Sequence, residues 1–448
     1  MVSLLNPAQV SARLREHEES FLIERGNGVV RYDIAQLPSN NPIEDDHSER
    51  IVQVPLVTPD DQQYSTDWLF WGVYDGHGGW STSTKLRESL IGYVTRELDK
   101  IYTPVAPNSP RRLVPSPEAI DKAVETAFVS LDDEIVNKTR RRRSHPPALS
   151  GSCALLAFYD TASRDLRVAV AGDSRAVLGT KEPDGSWKAR ALTTDQTGSN
   201  EEEARRIKKE HPGEEETAVR RGRVLGIYEP TRAFGDATTK WSREIQHSLA
   251  RQFFGRTIPR DLRTPPYMTA RPEITRTRLE KDQLAFLVLA TDGLYEMLSN
   301  EQVVSMVVEW INQKRPASLR TMLSQTEPSG SKWIPKWVGG GKNKRSEQKV
   351  EDVSANKDAQ KQPIRRQSSV PVQISVQDQN AATHLMRNAL GGADQESVSM
   401  LVSIPSPLSR RYRDDLTVTV VFFGDNVEDT GKIRVNNEAT YVPSKAKL

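Results

Sequence analysis

The sequence predicts an α+β protein in which helices cover a central β-sandwich. Two observations predict this fold: short runs of continuous apolar residues that are typical of buried strands, and segments between them whose apolar residues recur at helical spacing. A strand that is apolar on both faces belongs inside a sandwich, because each face must be covered by another layer. The strand candidates are residues 68–74, 154–159, 166–171, 285–290 and 416–423.

The helical segments carry apolar side chains every three or four residues, so each helix would present one apolar stripe to the sheets. The stripes are Leu86, Leu90, Val94 and Leu98; Ile120, Val124, Phe128, Leu131 and Ile135; and Val303, Val307 and Ile311. We therefore expect helices on the outer faces of the sheets.

Length and composition indicate a globular chain whose ordered part is one domain. The 448 residues, of which 36% are hydrophobic and 27% charged, can bury a sizeable core. We predict one domain over residues 1–426, a flexible insert within it at about 318–373, and a C-terminal tail at 427–448. The insert contains Gly339-Gly340-Gly341 and many polar residues, and it cannot bury enough apolar surface to order itself. An ordered pattern resumes at 380–386, so the insert interrupts one domain and does not separate two.

The charge balance and the cysteine content exclude several classes of function. Lysine and arginine number 62 against 60 acidic residues, and a net charge of +2 gives no reason to expect a nucleic-acid partner. The single cysteine, Cys153, excludes an internal disulfide framework and any metal site built on several thiolates. A reducing compartment fits this cysteine content best.

The N-terminal region carries no recognisable targeting segment. The sequence has no apolar run of about 18 residues, so no membrane span is predicted. Residues 1–7 are too short and too polar for a secretory signal, and Glu16, Glu18 and Glu19 are unusual in a transit peptide. These features leave either a cytosolic chain or a missing presequence.

Aspartates follow or precede four of the strand candidates. Asp75, Asp173 and Asp292 come at strand ends, and the pair Asp414-Asp415 comes directly before the last strand. A single strand-terminal aspartate is more often a turn or cap residue, but four such positions need a common cause. Carboxylates that meet at strand ends repel one another unless cations neutralise them, and oxygen ligands select magnesium or manganese. The sequence therefore predicts a hydrated site for two divalent cations.

Two such cations about 4 Å apart activate a water between them and stabilise a phosphoryl group in transfer, so hydrolysis of a phosphate ester is the natural chemistry. Glycines beside the acids would allow close backbone approach, and the carbonyl oxygen of Gly76 is a further candidate ligand. His77 could protonate the leaving alkoxide. Taken alone, His77 could equally be a structural histidine.

The order and spacing of these residues resemble the protein phosphatase 2C family from about residue 7 to 424, outside the insert. The segment 70–79, which contains Asp75-Gly76-His77-Gly78-Gly79, looks like the first signature of the family. The segments that look like the later signatures are 150–154, 170–176, 231–236, 289–294 and 413–415. The resemblance implies two antiparallel sheets flanked by helices in a four-layer α-β-β-α order. It also implies a serine/threonine phosphatase that uses a metal-bridging hydroxide.

The resemblance also implies a role for each matching residue. Asp75 would bridge two Mg²⁺ or Mn²⁺ ions, with the Gly76 carbonyl on the first ion, and His77 would be the acid. The remaining implied roles are Asp292 and Asp414 on the second ion, Glu44 and Asp45 on metal-bound waters, and Asp173 and Glu296, with Asp292, at a third, weaker site.

This chain departs from the common family pattern at a few positions. Many members have aspartate where Glu296 stands, and many place an arginine at the position of Asn40 to bind the substrate phosphate. Asn40 would be a neutral phosphate contact that lacks a charge-assisted fork. Gln196 stands where histidine is commoner, and Cys153, which replaces a common threonine, is expected to be a buried structural thiol.

Within the family the chain is most similar to the pyruvate dehydrogenase phosphatase catalytic subunits, in a fungal-like form, on residues 36–45 and 265–270. This similarity implies a phosphoprotein substrate, the pyruvate dehydrogenase complex with its lipoyl domain, a regulatory subunit, and a place in the mitochondrial matrix. The alternatives are another phosphoprotein substrate, a cytoplasmic location, or an inactive adaptor. An adaptor would typically lack one of the implied ligands, and Asp75, Asp292 and Asp414 are all present.

Overall fold

The structure is a computed structural model that describes residues 3–57, 63–102, 114–138, 146–251, 256–281, 283–319, 350–354, 373–425 and 429–442. Its strands form two large sheets and a short hairpin. They are β1 Glu19–Glu24, β2 Val29–Leu37, β3 Asp46–Val57, β4 Gln63–His77, β5 Gly151–Asp160, β6 Asp165–Ala171, β7 Arg175–Lys181, β8 Trp187–Ala191, β9 Val219–Arg220, β10 Arg223–Val224, β11 Phe234–Gly235, β12 Glu273–Arg278, β13 Ala285–Ala290, β14 Val350–Asp352, β15 Leu416–Phe423 and β16 Lys432–Val435.

The helices lie mainly outside the sheets. They are α1 Pro7–Arg15, α2 Ser81–Ile101, α3 Pro117–Asp133, α4 Pro146–Leu149, α5 Glu201–Glu210, α6 Glu215–Ala218, α7 Ala237–Lys240, α8 Arg243–Ala250, α9 Asp292–Tyr295, α10 Asn300–Lys314, α11 Ala381–Ala389 and α12 Gln395–Ser403. A π-helical turn, Glu134–Lys138, extends α3, and two 3₁₀ turns occur at Ala317–Leu319 and Leu408–Arg411.

The first sheet has the strand order β14-β8-β7-β13-β15-β2-β1-β16, and the second has the order β12-β6-β5-β4-β3, with β11 paired to the end of β5. Every pairing in the two sheets is antiparallel except that of β14 with β8. The two sheets pack face to face, because alternate residues of β4 and β13, such as Trp71 and Leu287, meet in one buried core. The predicted sandwich is therefore confirmed, with one parallel pair at its edge.

The other face of each sheet is covered by helices, which completes the four-layer α-β-β-α order. Residues Phe70 and Tyr74 of β4 pack against α2 and α3, whereas Phe286 and Val288 of β13 pack against α10 and α11. Both faces of these strands are buried, which explains their continuous apolar sequences. The five predicted strands and the three predicted helices are all present at these positions.

Two segments predicted to lie outside the ordered domain contribute to it in their described parts. Val350–Asp352 of the insert forms the edge strand β14, and Leu319, at the start of the insert, is buried. The remaining insert residues, 320–349 and 355–372, lie outside the described residues. The predicted tail contributes β16, which pairs with β1. Among the helices of the described ranges, none combines the length and apolarity needed to span a membrane.

Between β8 and β12 the described residues 195–251 and 256–270 form an outer segment, which has one small core of its own and a second core shared with α4 and the π-helical turn. One core contains Ile207, Leu225 and Tyr267, and the other contains Trp241 and Leu249. Strand β11, which belongs to this segment, pairs with the start of β5. Phe234 pairs with Ser152, and Gly235 pairs with Gly151. The pairing brings the following residue, Asp236, beside the end of β4.

Candidate metal centre

The strand-end aspartates predicted to form a site meet at one end of the sandwich. Carboxylate oxygens of Asp75, Asp173 and Asp292 lie within 4.8 Å of one another, and oxygens of Asp292, Glu296 and Asp414 form a second such group. Asp292 belongs to both groups, so the five carboxylates form one continuous cluster. Asp292 is the first residue of α9, which starts directly after β13, while Asp414 comes just before the neighbouring strand β15.

Electrostatic repulsion is strong inside this cluster. Burial raises the pKa of Asp75 well above its ordinary value, and the charges of Asp45, Asp292 and Asp173 raise it further. Burial also raises the pKa of Asp45, followed by the charge of Asp415. Closely spaced, partly buried oxygen donors of this kind fit hard divalent cations, which would remove the repulsion.

Asp415 organises the loop that carries the other predicted acids. Its carboxylate accepts hydrogen bonds from the backbone N–H groups of Ser39, Asn40 and Glu44, the last two at 3.0 and 2.9 Å. Asp45 in turn accepts a hydrogen bond of 2.8 Å from Thr417 in β15. The loop before β3 is thus fixed to the start of β15, which brings Asp45 within electrostatic reach of Asp75 and Asp292. Burial raises the pKa of Glu44.

The amide of Asn40 contacts two of these carboxylates. Its Nδ2 atom donates to Glu44 at 3.1 Å and to Asp415 at 3.3 Å. The amide group therefore helps to hold the loop in place. Any phosphate at this position would compete with both carboxylates for the same donor.

Two glycines permit close packing of the backbone around the cluster. A Cβ atom at Gly76 would lie 2.0 Å from the carbonyl oxygen of Glu44, and one at Gly293 would lie 2.3 Å from that of Asp415. Neither position can accept a larger residue without a backbone shift. These close approaches bring the ends of β4 and β13 against the loops that carry the other acids.

His77 forms a partly buried pair with Asp236 of the outer segment, a residue to which the sequence assigned no role. The Nε2 atom of His77 lies 2.6 Å from Oδ2 of Asp236. Burial lowers the pKa of His77, but the charge and the hydrogen bond of Asp236 outweigh it, so that the pKa lies above its ordinary value. The 231–236 signature contained this residue, but only the pairing of β11 with β5 shows that it meets His77.

Among the described residues, two arginines outside the signature segments contact the cluster or the segment that follows His77. The Arg410 guanidinium forms an ion pair with the Asp414 carboxylate, and Arg256 donates a hydrogen bond to the Gly78 carbonyl. Arg410 stands three residues before the 413–415 segment, and Arg256 lies between the 231–236 and 289–294 segments, so no sequence signal placed either arginine at the site.

Cys153 and Gln196 hold the segment around Asp173. The Cys153 thiol donates to Asp173 at 3.2 Å, and burial raises its pKa well above the ordinary value. Gln196 accepts a hydrogen bond of 2.8 Å from the Gly172 N–H. Cys153 is buried and free, as expected for a structural thiol.

Comparison with known proteins agrees with this geometry. The family model of protein phosphatase 2C matches residues 54–327. The mitochondrial pyruvate dehydrogenase (acetyl-transferring) phosphatase 1 of Saccharomyces cerevisiae is 41% identical over 475 residues, which cover 99% of this chain and 78% of the yeast protein. A protein phosphatase 2C homolog of Schizosaccharomyces pombe is 41% identical over 93% of this chain and 85% of its own length.

More distant relatives match over a similar extent. The human mitochondrial pyruvate dehydrogenase (acetyl-transferring) phosphatase 1 is 32% identical over 493 residues, which cover 94% of this chain and 84% of the human protein. The span matched by the family model contains Asp75, Asp173, Asp292 and Glu296, and each of these relatives matches over at least 93% of this chain. The chain therefore belongs to the protein phosphatase 2C family of protein serine/threonine phosphatases.

Proposed function

We propose that this phosphatase hydrolyses phosphoserine and phosphothreonine with two divalent cations, Mg²⁺ or Mn²⁺, at the carboxylate cluster. The sharing of Asp292 between two groups of carboxylates supports this proposal most directly. Asp75, the Gly76 carbonyl, Asp292 and Asp414 would hold the two ions, and Asp173 and Glu296 would contribute to a weaker third site. When bound, such ions lower the pKa of water and offset the charge of the phosphoryl group.

The protein's own groups would position the water and the substrate. Glu44 and Asp45 lie on the loop fixed by Asp415 and would orient water at the centre. Asn40 would be a neutral contact to the phosphate, and its competing bonds to Glu44 and Asp415 limit what it contributes.

His77 would donate the proton to the leaving serine or threonine oxygen. Its Nε2 atom is held by Asp236, so Nδ1 is the nitrogen available to the substrate. The side chain is 26% exposed, which lets a substrate oxygen approach. A purely structural histidine would not need this access.

As substrate we propose the pyruvate dehydrogenase complex of mitochondria, because curated relatives at 41% and 32% identity are named mitochondrial pyruvate dehydrogenase phosphatases. A lipoyl domain of that complex and a regulatory subunit are the partners proposed with it. Another phosphoprotein of the cytoplasm or the mitochondrion is the alternative substrate.

The activity is tested with a phosphoserine peptide and Mn²⁺, in the wild-type protein and in Asp75→Asn. We expect metal-dependent release of phosphate by the wild type and a loss of at least about a thousandfold in the variant, because Asp75 would contact both ions. An inert wild type would favour the adaptor hypothesis. In the same assay, phosphorylated pyruvate dehydrogenase complex should be a better substrate than the isolated peptide, and equal rates would count against this choice of substrate.

A further inference from the structure

The cluster is rich in negative charge, which matters for a phosphate substrate. Seven acidic side chains, Glu44, Asp45, Asp75, Asp173, Asp292, Glu296 and Asp414, lie at or beside it. Two divalent ions carry four positive charges, which do not offset the seven negative charges of these acids when all are ionised. A phosphate dianion that enters this site needs a further cation close to the ions.

Arg410 is placed to provide that cation. Its guanidinium pairs with Asp414, one of the carboxylates of the cluster, and its side chain is 42% exposed. Within the described part of the chain, Asp414 is the one ion-pair partner given for Arg410, and a guanidinium has five N–H donors, so it can bind a second anionic group. Burial raises the pKa of Asp75 and of Glu44, and the nearby charge of Arg410 partly opposes this rise at both groups.

The turn that carries Arg410 is fixed to the loop that carries Asn40. Ser409, the residue before Arg410, donates its hydroxyl hydrogen to the Ser39 carbonyl, and its own carbonyl accepts from the Arg413 N–H at 3.0 Å. Ser409 is buried, so the backbone of the turn has a defined position while the arginine side chain extends outward. The side chain can therefore turn without movement of the chain.

We propose that Arg410 is the side chain that binds the substrate phosphate, and that it exchanges Asp414 for the phosphate when Asp414 holds a metal ion. The proposal rests on the function proposed above. Arg410 would then bind the Asp414 carboxylate in the protein without metal ions, and the substrate phosphate in the protein that holds them. A guanidinium binds both with the same fork geometry.

The test compares Arg410→Gln with the wild type in three measurements: kinetics on a small aryl phosphate with Mn²⁺, inhibition by inorganic phosphate, and Mn²⁺ binding by calorimetry without substrate. We expect KM and the inhibition constant for phosphate to rise roughly 10- to 100-fold, as for loss of a charge-assisted hydrogen bond. The Mn²⁺ dissociation constant should stay unchanged or fall, because Arg410 no longer competes for Asp414. Arg411→Gln, at the exposed neighbouring residue, is the matched control and should behave as the wild type.

A weakened Mn²⁺ affinity with an unchanged phosphate inhibition constant would overturn the proposal, since Arg410 would then only support Asp414. An unchanged variant would overturn it as well. Asn40→Arg in the Arg410→Gln protein should recover at least part of the phosphate affinity, because Asn40 lies on the adjoining loop. Turnover by the wild type in the same assay tests the proposed function separately, so failure of one hypothesis does not imply failure of the other.

Discussion

At the scale of single residues, the pair of His77 and Asp236 depends on a neighbour that has no side chain. A Cβ atom at Gly151 would lie 2.1 Å from Nε2 of His77 and 2.2 Å from Oδ2 of Asp236. Asp236 itself has a left-handed backbone, with φ of 45°. A non-glycine residue adopts this conformation at a cost in free energy, and such residues are concentrated at functional sites.

Replacement of Asp236 by asparagine tests whether this pair serves proton donation. We expect kcat on a phosphoserine peptide to fall about 10- to 100-fold, with little change for an aryl phosphate whose leaving group needs no proton. Because Asp236 raises the pKa of His77, its loss should move the decline of kcat at high pH to lower pH. The measurement is kcat against pH on both substrates. Equal losses on both substrates, without a shift in the pH profile, would indicate a structural role for Asp236.

At the scale of helices and strands, the sequence predicted the segments that are apolar throughout. Strands β13 and β15 were predicted at their observed limits, because both faces of each are buried under another layer. Strand β2 was missed although every residue but one is buried, since it contains Arg31 and Asp33. The Arg31 Nε atom donates to Asp33 Oδ1 at 2.7 Å inside the protein. The apolar pattern used to predict strands does not indicate such a buried ion pair.

The residues of the candidate site also differ in whether the local sequence predicts their roles. The acids of the cluster could be predicted because each stands beside a strand or within a signature segment. The roles of Asp236 and Asp415 could not, because each depends on a contact with a residue distant in sequence. Arg410 lies only four residues before Asp414, but it stands outside the signature segments. Strand pairing and loop contacts bring the distant residues together, and the local sequence around each residue does not predict these contacts.

Asn380 offers a test of how one side chain joins several elements. Its Oδ1 atom accepts from the first N–H groups of α11, while its Nδ2 atom donates to the carbonyls of Glu19 and Ala439 at 2.9 and 3.0 Å. We expect Asn380→Ala to lower the free energy of unfolding by about 3 kcal/mol, because a helix cap is lost and buried carbonyls are left unpaired. Denaturant titration measures this value.

Ser299 provides the matched comparison for Asn380. It caps α10 with its side chain at an exposed position, and Ser299→Ala should reduce stability by only about 1 kcal/mol. Similar losses in the two variants would show that the contacts of Asn380 to the strands contribute little.

At the scale of the whole molecule, the carboxylate cluster links activity to stability. The buried acids repel one another in the ion-free protein, as the raised pKa values of Asp45 and Asp75 indicate. Cations that bind only the folded chain relieve this repulsion and shift the folding equilibrium. The site thus lowers the free energy of unfolding when no ions are bound and raises it when ions bind.

We expect Mn²⁺ or Mg²⁺ at about a hundredfold excess over its dissociation constant to stabilise the wild type by about 3 kcal/mol. Asp75→Asn should lose this increase, yet melt at a higher temperature than the wild type in the presence of a chelator, because one buried charge is removed. Thermal melts with and without ions measure both effects. Glu88→Gln, which removes an exposed carboxylate on α2, should retain the response to ions. A wild-type melting temperature that does not change when ions are added would contradict the expectation.

Strand β15 is a central strand of the first sheet, yet it is encoded close to the end of the chain. It pairs with both β13 and β2. Glu44 and Asp414, which we propose as site residues, stand 370 positions apart in the sequence (414 − 44). A ribosome that adds 5–20 residues per second therefore needs roughly 20 to 75 seconds between these two acids. Until β15 emerges, the nascent chain exposes two apolar strand edges and holds no complete site. A chain truncated before Leu416 lacks β15, and we expect it to be inactive and prone to aggregation through the exposed edges of β13 and β2.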